Sequence, residues 1–516
     1  MELLNFILVN FFFILFVELS VLLFLKTSEQ GNVNTYVQII LHPHIHIQNS
    51  LIYCLFLISL LCLSYIPITN VSLNDFLLIY CYNEILEFGQ QFCLEQMFTT
   101  YIQLLLIVTA FIIHLLYMFY IKYQKHAYYE YGIILQYAVI FLLFFYESFN
   151  MIMLIINLVG VSTMLYTLLS IETKEHGREA AIKYYLLSAL TSGLIIYGIF
   201  LLLNAYQSLD YNTINFFSWN LISFSSTWNS KEFEQFLILN ECGIILFILG
   251  MLFKLGAFPS HLWTIDIYEG SSNPIMAFFL MPMKLIIFAG FAKIITSVFN
   301  AFHCLWEVLL WTSSIMSLIW GSFGAVTEQT IKKFIGYSSI NQMGYLLIGI
   351  TIVYLEGYVA TMIYLSIYMI TNIVLLGTIF SIRKTIKNER VFTLIDLNSF
   401  ALNNFKEIIT IIIILFSMAG LPPLAGFFGK FYLFLVSLHS DYFSLIIIGM
   451  LTSVISTYYY LNFFSRIVFL NFNISDYFVC EENYLLNFFK KQSFMFIVLL
   501  LFFIDIIISI LIHIIN

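Results

Sequence analysis

Apolar stretches of about twenty residues recur along the whole chain, and that is the length a helix needs to cross the hydrocarbon core of a bilayer. They fall near 4–25, 50–68, 100–121, 130–147, 150–171, 181–204, 235–256, 274–298, 302–325, 335–353, 357–382, 407–437, 442–470 and 492–515, fourteen in all. Only 10% of the residues are charged and 61% are hydrophobic, whereas a soluble domain carries about 25% charged residues. The expected fold is therefore an all-α, polytopic membrane protein of about 14 transmembrane helices. No small-residue cleavage site follows the first apolar stretch, so residues 4–25 read as a retained span and not a signal peptide.

Two stretches interrupt this pattern. Residues 69–98 carry Asp75, Glu84, Glu87 and Glu95 among aromatics and read as an interfacial amphipathic segment. Residues 205–233, rich in Asn and Ser, read as a polar loop. Seven cysteines lie scattered without CxxC spacing, mostly in apolar surroundings where cysteine acts as a small hydrophobe. The alternate histidines 42, 44 and 46 could chelate a metal, but no acidic or cysteine ligand lies near them, and the reading is that they do not.

Charge orients the spans. With both termini outside, sixteen of the 21 Lys and Arg fall in or at the edge of inside loops, among them Lys174, Arg178, Lys183, Lys332 and Lys333. Only Lys231 and Lys293 fall outside. This is the positive-inside bias of an even-numbered topology.

The remaining three lysines, Lys254, Lys284 and Lys430, sit inside apolar segments. A lysine at bilayer depth costs at least about 2.5 kcal/mol, so it is rarely there without a role. Lys254 stands five residues before Pro259 in FKLGAFPSHLW, where the helix should break near Gly256–Pro259 and resume through His261 and Trp263. The alternative for Lys254 is a side chain snorkelling to the surface from a helix end, and His261 could equally be a packing residue. Lys284 lies ten residues beyond Pro274, too deep to snorkel easily. Lys430 follows SMAGLPPLAGFFGK, whose prolines and glycines predict a second break. Desolvation disfavours the charged form of a lysine, so one held away from water can gain and lose a proton near neutrality, as a relay requires.

Acids within spans are few: Glu18, Glu147, Glu241 and Asp505. Each could pair with a lysine or sit near an interface. His114, deep in the third span, could join a relay or simply pack. No GxxxxGK[ST] loop, GxGxxG turn, CxxCH or iron–sulfur cysteine run is present, so the chain shows no nucleotide site and no redox centre of its own.

The stretches 251–284, 331–347 and 417–434, with their HxW, DxYEG, YSSI and PPxxGFxxK motifs, resemble the antiporter-like membrane subunits of respiratory complex I. The likeness is closest to the subunit 2 branch, which carries lysine and not glutamate in the twelfth helix, and it is specific over residues 130–440. KYYLLSALTSGLIIYG at 183–198 fits the same branch.

The resemblance implies two inverted five-helix repeats, each with a broken helix. It divides the chain into N-terminal helices (1–129), a first half (130–298), a second half (299–470) and a C-terminal loop and helix (471–516). It implies proton translocation coupled to quinone reduction elsewhere, with Lys254, Lys284 and Lys430 as central relay residues and His261 on the hydrated path. NAD, FMN, iron–sulfur clusters and ubiquinone would sit on other subunits. Neighbouring complex I membrane subunits, above all the adjacent antiporter-like one, would be partners, with membrane lipid and without nucleic acid. The implied location is the mitochondrial inner membrane, and the Phe, Ile and Asn bias fits an AT-rich organellar genome.

Two positions depart from the family pattern. Val159 stands where the family usually has a glutamate pairing the lysine of the seventh helix. Glu147, the nearest acid and a possible partner, lies twelve residues earlier, about 18 Å and about 120° away along a continuous helix. Gln342 stands where histidine is frequent, and glutamine cannot titrate. Both departures leave room for a scaffold that has lost full pumping. A subunit of a multi-subunit cation/proton antiporter would share the motifs without needing NADH or quinone.

Overall fold

The computed structural model describes residues 86–121, 130–171, 175–224, 230–352, 355–384, 405–440, 442–468 and 478–480. The expected spans 4–25, 50–68 and 492–515, together with the histidines at 42–46, Glu18 and Asp505, lie outside the described residues. Every other expected span contains helix, and eight of the described helices are long and apolar enough to cross a membrane.

In chain order the helices are α1 (Leu86–Ile121), α2 (Glu130–Tyr146), α3 (Met151–Ser170), α4 (Glu175–Tyr206), α5 (Tyr211–Phe224), α6 (Ser230–Leu255), α7 (Leu262–Gly270) and α8 (Asn273–Phe278). A π-helical turn (Phe279–Met283) joins α8 to α9 (Lys284–Ser297). Then come α10 (His303–Thr327), α11 (Ile331–Thr351), α12 (Leu355–Ser381), α13 (Phe405–Ala419), α14 (Ala425–His439) and α15 (Phe443–Val468). Beside the helices, which bear out the all-α expectation, a short ribbon pairs Ile382–Lys384 antiparallel with Phe478–Cys480, Arg383 opposite Val479.

Two compact units divide at Gln136–Tyr137. In the first, Tyr117 stacks on Tyr131 at 4.1 Å between ring centroids, and His114 is buried 6.2 Å from the Tyr117 ring. The rest of the account concerns the second unit.

One order of elements occurs twice along the chain. Three helices (α2, α3, α4) are followed by a broken one (α6–α7) and a fifth (α8–α9). The second series is α10, α11 and α12, the broken α13–α14, and α15. Helix α5 is an insertion in the first series, and it corrects the expectation of a polar loop over 205–233. Tyr211, Ile214 and Ser218, spaced by three and four, are its buried face. The Asn- and Ser-rich composition hides that spacing.

The split expected near Asn150 is a true helix start. Asn150 caps α3, its side-chain oxygen accepting the Ile152 N–H at 2.9 Å, and its amide donates to Asp210 at 2.9 Å. Helices α4 and α6 approach so closely that a Cβ at Gly198 would lie 2.8 Å from the Gly243 carbonyl oxygen. The interior is made by two segments buried all round, Pro274–Ala292 and Ser338–Thr351. On the periphery, Ile447, Leu451, Val454, Tyr458 and Leu461 of α15 form an exposed apolar stripe at helical spacing, as a lipid-facing helix requires.

Candidate functional site: two broken helices and three buried lysines

Both breaks end in the same way. Gly256 (φ 71°) and Gly420 (φ 85°) adopt the left-handed conformation that glycine tolerates best. Ala257 N–H bonds to the Leu252 carbonyl and Gly256 N–H to that of Phe253; Leu421 and Gly420 repeat this with Phe416 and Ser417. These are two Schellman caps, and a cis proline, Pro259 or Pro423, follows each glycine by three residues. The spacing between the breaks is the same at both points, 164 residues from 256 to 420 and from 259 to 423.

The lysines occupy different places around these caps. Lys254 is in the last turn of α6, 2% exposed, so it does not snorkel to a surface of this chain. Its Nζ has no protein hydrogen-bond partner among the described residues. Trp263, on the resumed helix, donates its indole N–H to the Phe253 carbonyl at 2.9 Å and ties the two sides of the break together. His261 is buried as the residue before α7, its ring 6.0 Å from that of Trp320, and its Nδ1 is unpaired among the described residues.

Lys430 lies on the far side of the second break and turns back to cap it. Its Nζ donates to the Met418 carbonyl at 3.2 Å and the Ala419 carbonyl at 3.0 Å, and sits 4.7 Å from the centre of the Tyr345 ring. Carbonyls at a helix C-terminus carry partial negative charge, and an aromatic face adds a further attraction. The Gln342 amide donates to the same Met418 carbonyl at 3.3 Å, and its oxygen accepts from the Tyr364 hydroxyl.

Lys284, 1% exposed, directly follows the π turn that contains Pro282. Its Nζ donates to Ser339 Oγ at 2.8 Å and lies 5.8 Å from the centre of the Tyr268 ring. Ser339 and Gln342 are three residues apart on α11, on one face. A single buried helix thus presents one polar side chain to Lys284 and another to the carbonyl shared with Lys430.

Glu147 lies exposed just past the end of α2, outside α3, so its separation from Val159 is not measured along one helix. It does not pair with Lys254, whose Nζ has no partner among the described residues. Val159 is half-buried on α3, and its carbonyl accepts from Ser162 at 2.8 Å. Among the described residues no group of three His, Cys, Asp or Glu is placed to hold a metal ion.

Three features were missed from sequence. Pro282 was a visible signal for the π turn, since it removes a backbone donor inside a helix. Ser339 and Tyr268 lie in YSSI and DxYEG, but only the fold shows that they meet Lys284.

A multi-pass helical protein with buried cations beside two capped breaks has the architecture of an intramembrane charge carrier. Residues 137–456 match the family described as NADH:quinone oxidoreductase/Mrp antiporter, transmembrane, and the chain belongs to that family. It is 32% identical to NADH-quinone oxidoreductase subunit N of Rhodospirillum rubrum over 385 residues, 74% of this chain and 76% of the relative. It is 31% identical to the subunit N of Pelagibacter ubique over 352 residues, 68% and 71% of the two chains. Its fold is similar to a chain of respiratory complex I from Thermus thermophilus, with TM-score 0.64 and 19% identity over 88% of this chain and 98% of that one. It is also similar to a chain of the Mrp complex from Dietzia sp. DQ12-45-1b, with TM-score 0.62, 15% identity and coverage of 73% and 67%. These structural likenesses show the fold alone.

Proposed function

We propose that this chain is a proton-translocating core membrane subunit of an NADH:quinone oxidoreductase, respiratory complex I, without a redox centre of its own. The observation that carries this reading is the pair of buried lysines served by one helix, Lys284 on Ser339 and Lys430 beside Gln342. Charge on one lysine changes the field at the next, so protonation and release alternate along the row. Lys254, Lys284 and Lys430 carry the protons, and His261 lines the path beside the first break. Flavin, iron–sulfur clusters, NADH and quinone belong to partner subunits, and the nearest partner is another antiporter-like subunit. The likeness to subunit N supports this assignment. The sequence bias fits an organellar genome, and with it a mitochondrial inner membrane location, whereas the relatives cited are bacterial.

A second reading, a scaffold that no longer pumps, is favoured by Val159 and by Lys254, which has no partner among the described residues. Proton pumping per NADH oxidised, measured in the assembled complex after Lys284→Ala and Lys430→Ala, separates the two. Pumping should fall by tenfold or more in both variants. Unchanged stoichiometry and rate in both would establish the scaffold.

A further inference from the structure

Charged side chains converge at one end of the second unit, the end that the charge pattern reads as inside. Helix α7 ends there, beside the start of α11. Lys332 donates to the carbonyls of Ser271 and, at 3.5 Å, Glu269, while Lys333 pairs with the Glu269 carboxylate at 3.1 Å. Asp266 on the same short helix pairs with Lys183 of α4 at 3.2 Å. Charges of both signs therefore gather where α7 reaches the surface.

Polar atoms continue inward from this mouth. Ser272 Oγ and Thr330 Oγ1 flank the Lys332–Ser271 contact in sequence, and both are buried without a protein partner. Tyr268 follows, 0% exposed, its hydroxyl also without a hydrogen-bond partner among the described residues. Helical side chains lean toward the N-terminus of their own helix. Tyr268 therefore leans away from the surface end of α7, and Lys284 leans back toward the surface end of α8–α9. The two meet, Nζ lying 5.8 Å from the ring centre while it donates to Ser339 Oγ. Buried hydroxyls without a protein partner are the groups that ordered water bridges.

We infer that Tyr268 is the last fixed hydroxyl on an inside-face route that delivers protons to Lys284. The inference rests on the reading of Lys284 as a proton-carrying group. In each transfer the phenol donates its proton, through a bridging water, to the neutral Lys284 amine. It takes a replacement proton from a water on the side of Ser272 and Thr330. Tyr268 starts and ends neutral, and one proton has moved from the mouth to Nζ.

The test uses the assembled complex in sealed vesicles and three variants: Tyr268→Phe, which keeps the ring, Thr330→Val, and Lys284→Ala as reference. Tyr268→Phe should slow NADH-driven proton uptake at least threefold and enlarge the H2O/D2O rate ratio, because a longer water gap then limits the rate. Thr330→Val should change both readouts in the same direction, and it carries the test if Tyr268→Phe does not assemble. A loss of packing alone would lower the rate without raising the isotope ratio. If Lys284→Ala slows pumping while rate and isotope ratio stay at wild type in Tyr268→Phe, or in Thr330→Val where only that variant assembles, the route is overturned and the role of Lys284 stands. If Lys284→Ala also changes nothing, the underlying reading falls with it.

Discussion

The two broken helices share a backbone and differ in how they use a lysine. In each, a glycine with positive φ closes a Schellman cap and a proline follows three residues later. At the second break, Lys430 returns to the carbonyls of Met418 and Ala419, so its amine is held at the cap and two of its donors are used. At the first, Lys254 stands before the glycine with no partner among the described residues, and the position corresponding to Lys430 is Asp266, which turns outward to Lys183. The comparison teaches that the break is a platform, and the placement of charge on it is a separate variable. A lysine after the break neutralises the helix end, whereas a lysine before it adds positive charge near that end and is left to find water or a moving proton.

The sharpest way to break the comparison is through the glycines themselves. A side chain at either position is strained by the positive φ, at about 1–3 kcal/mol. At Gly256 a Cβ would also lie 2.4 Å from Thr264 Cγ2, a branched side chain held by its hydrogen bond to the His261 carbonyl. At Gly420 it would meet only Lys430 Cδ, at 3.0 Å, part of a flexible chain. Gly256→Ala should therefore cost more than Gly420→Ala by about 1–3 kcal/mol, the usual penalty of overpacking. Thermal retention of the assembled complex on native gels measures the difference. Equal losses would mean that the two caps are energetically alike.

This part of the molecule was legible in the sequence because its causes are local. Glycine, proline and a charge in an apolar run act on the residues beside them, so both breaks and all three lysines stood out. What Lys284 touches did not: Ser339 is 55 residues away and reaches it only through the packing of α11. Helix α5 was hidden for the opposite reason, since Asn and Ser are interspersed among Tyr211, Ile214 and Ser218, the buried residues of its described face. Lys430's use of carbonyls, where an acid was the natural expectation, follows from backbone freed by the break, and no residue type announces it.

Removing the charges sharpens the contrast. Lys430→Met leaves the Ala419 carbonyl without its lysine donor and the Met418 carbonyl with Gln342 alone. An orphaned buried acceptor costs about 1–3 kcal/mol, so stability should fall. Lys254→Met removes a buried ammonium that has no partner among the described residues and leaves none of their groups unpaired, so stability should hold or rise. Both variants should lose pumping under the proposed relay. Melting curves of the two complexes, read beside their pumping rates, check the sign of each effect. A fall in stability for Lys254→Met as large as for Lys430→Met would require a partner for Lys254.

The smallest effect lies at the surface end of the first break. Hydrogen bonding to Glu269 holds the Lys333 ammonium above its ordinary value of 10.5, against a smaller opposing cost of burial. A raised lysine stabilises the fold while it is charged, so the contribution is complete below pH 10.5 and is lost as pH rises through the raised value. Lys333 is partly exposed, and its pair with Glu269 is worth only about 0.2–1 kcal/mol after solvent screening. Lys333→Met should therefore lower thermal stability slightly at neutral pH and low salt, and the difference should shrink in high salt and again at strongly alkaline pH. The second break carries no such pair on α14 among the described residues, so the same salt titration should leave Lys430 variants unmoved. A salt-independent loss at Lys333 would instead trace to the packing of its aliphatic stem against α7.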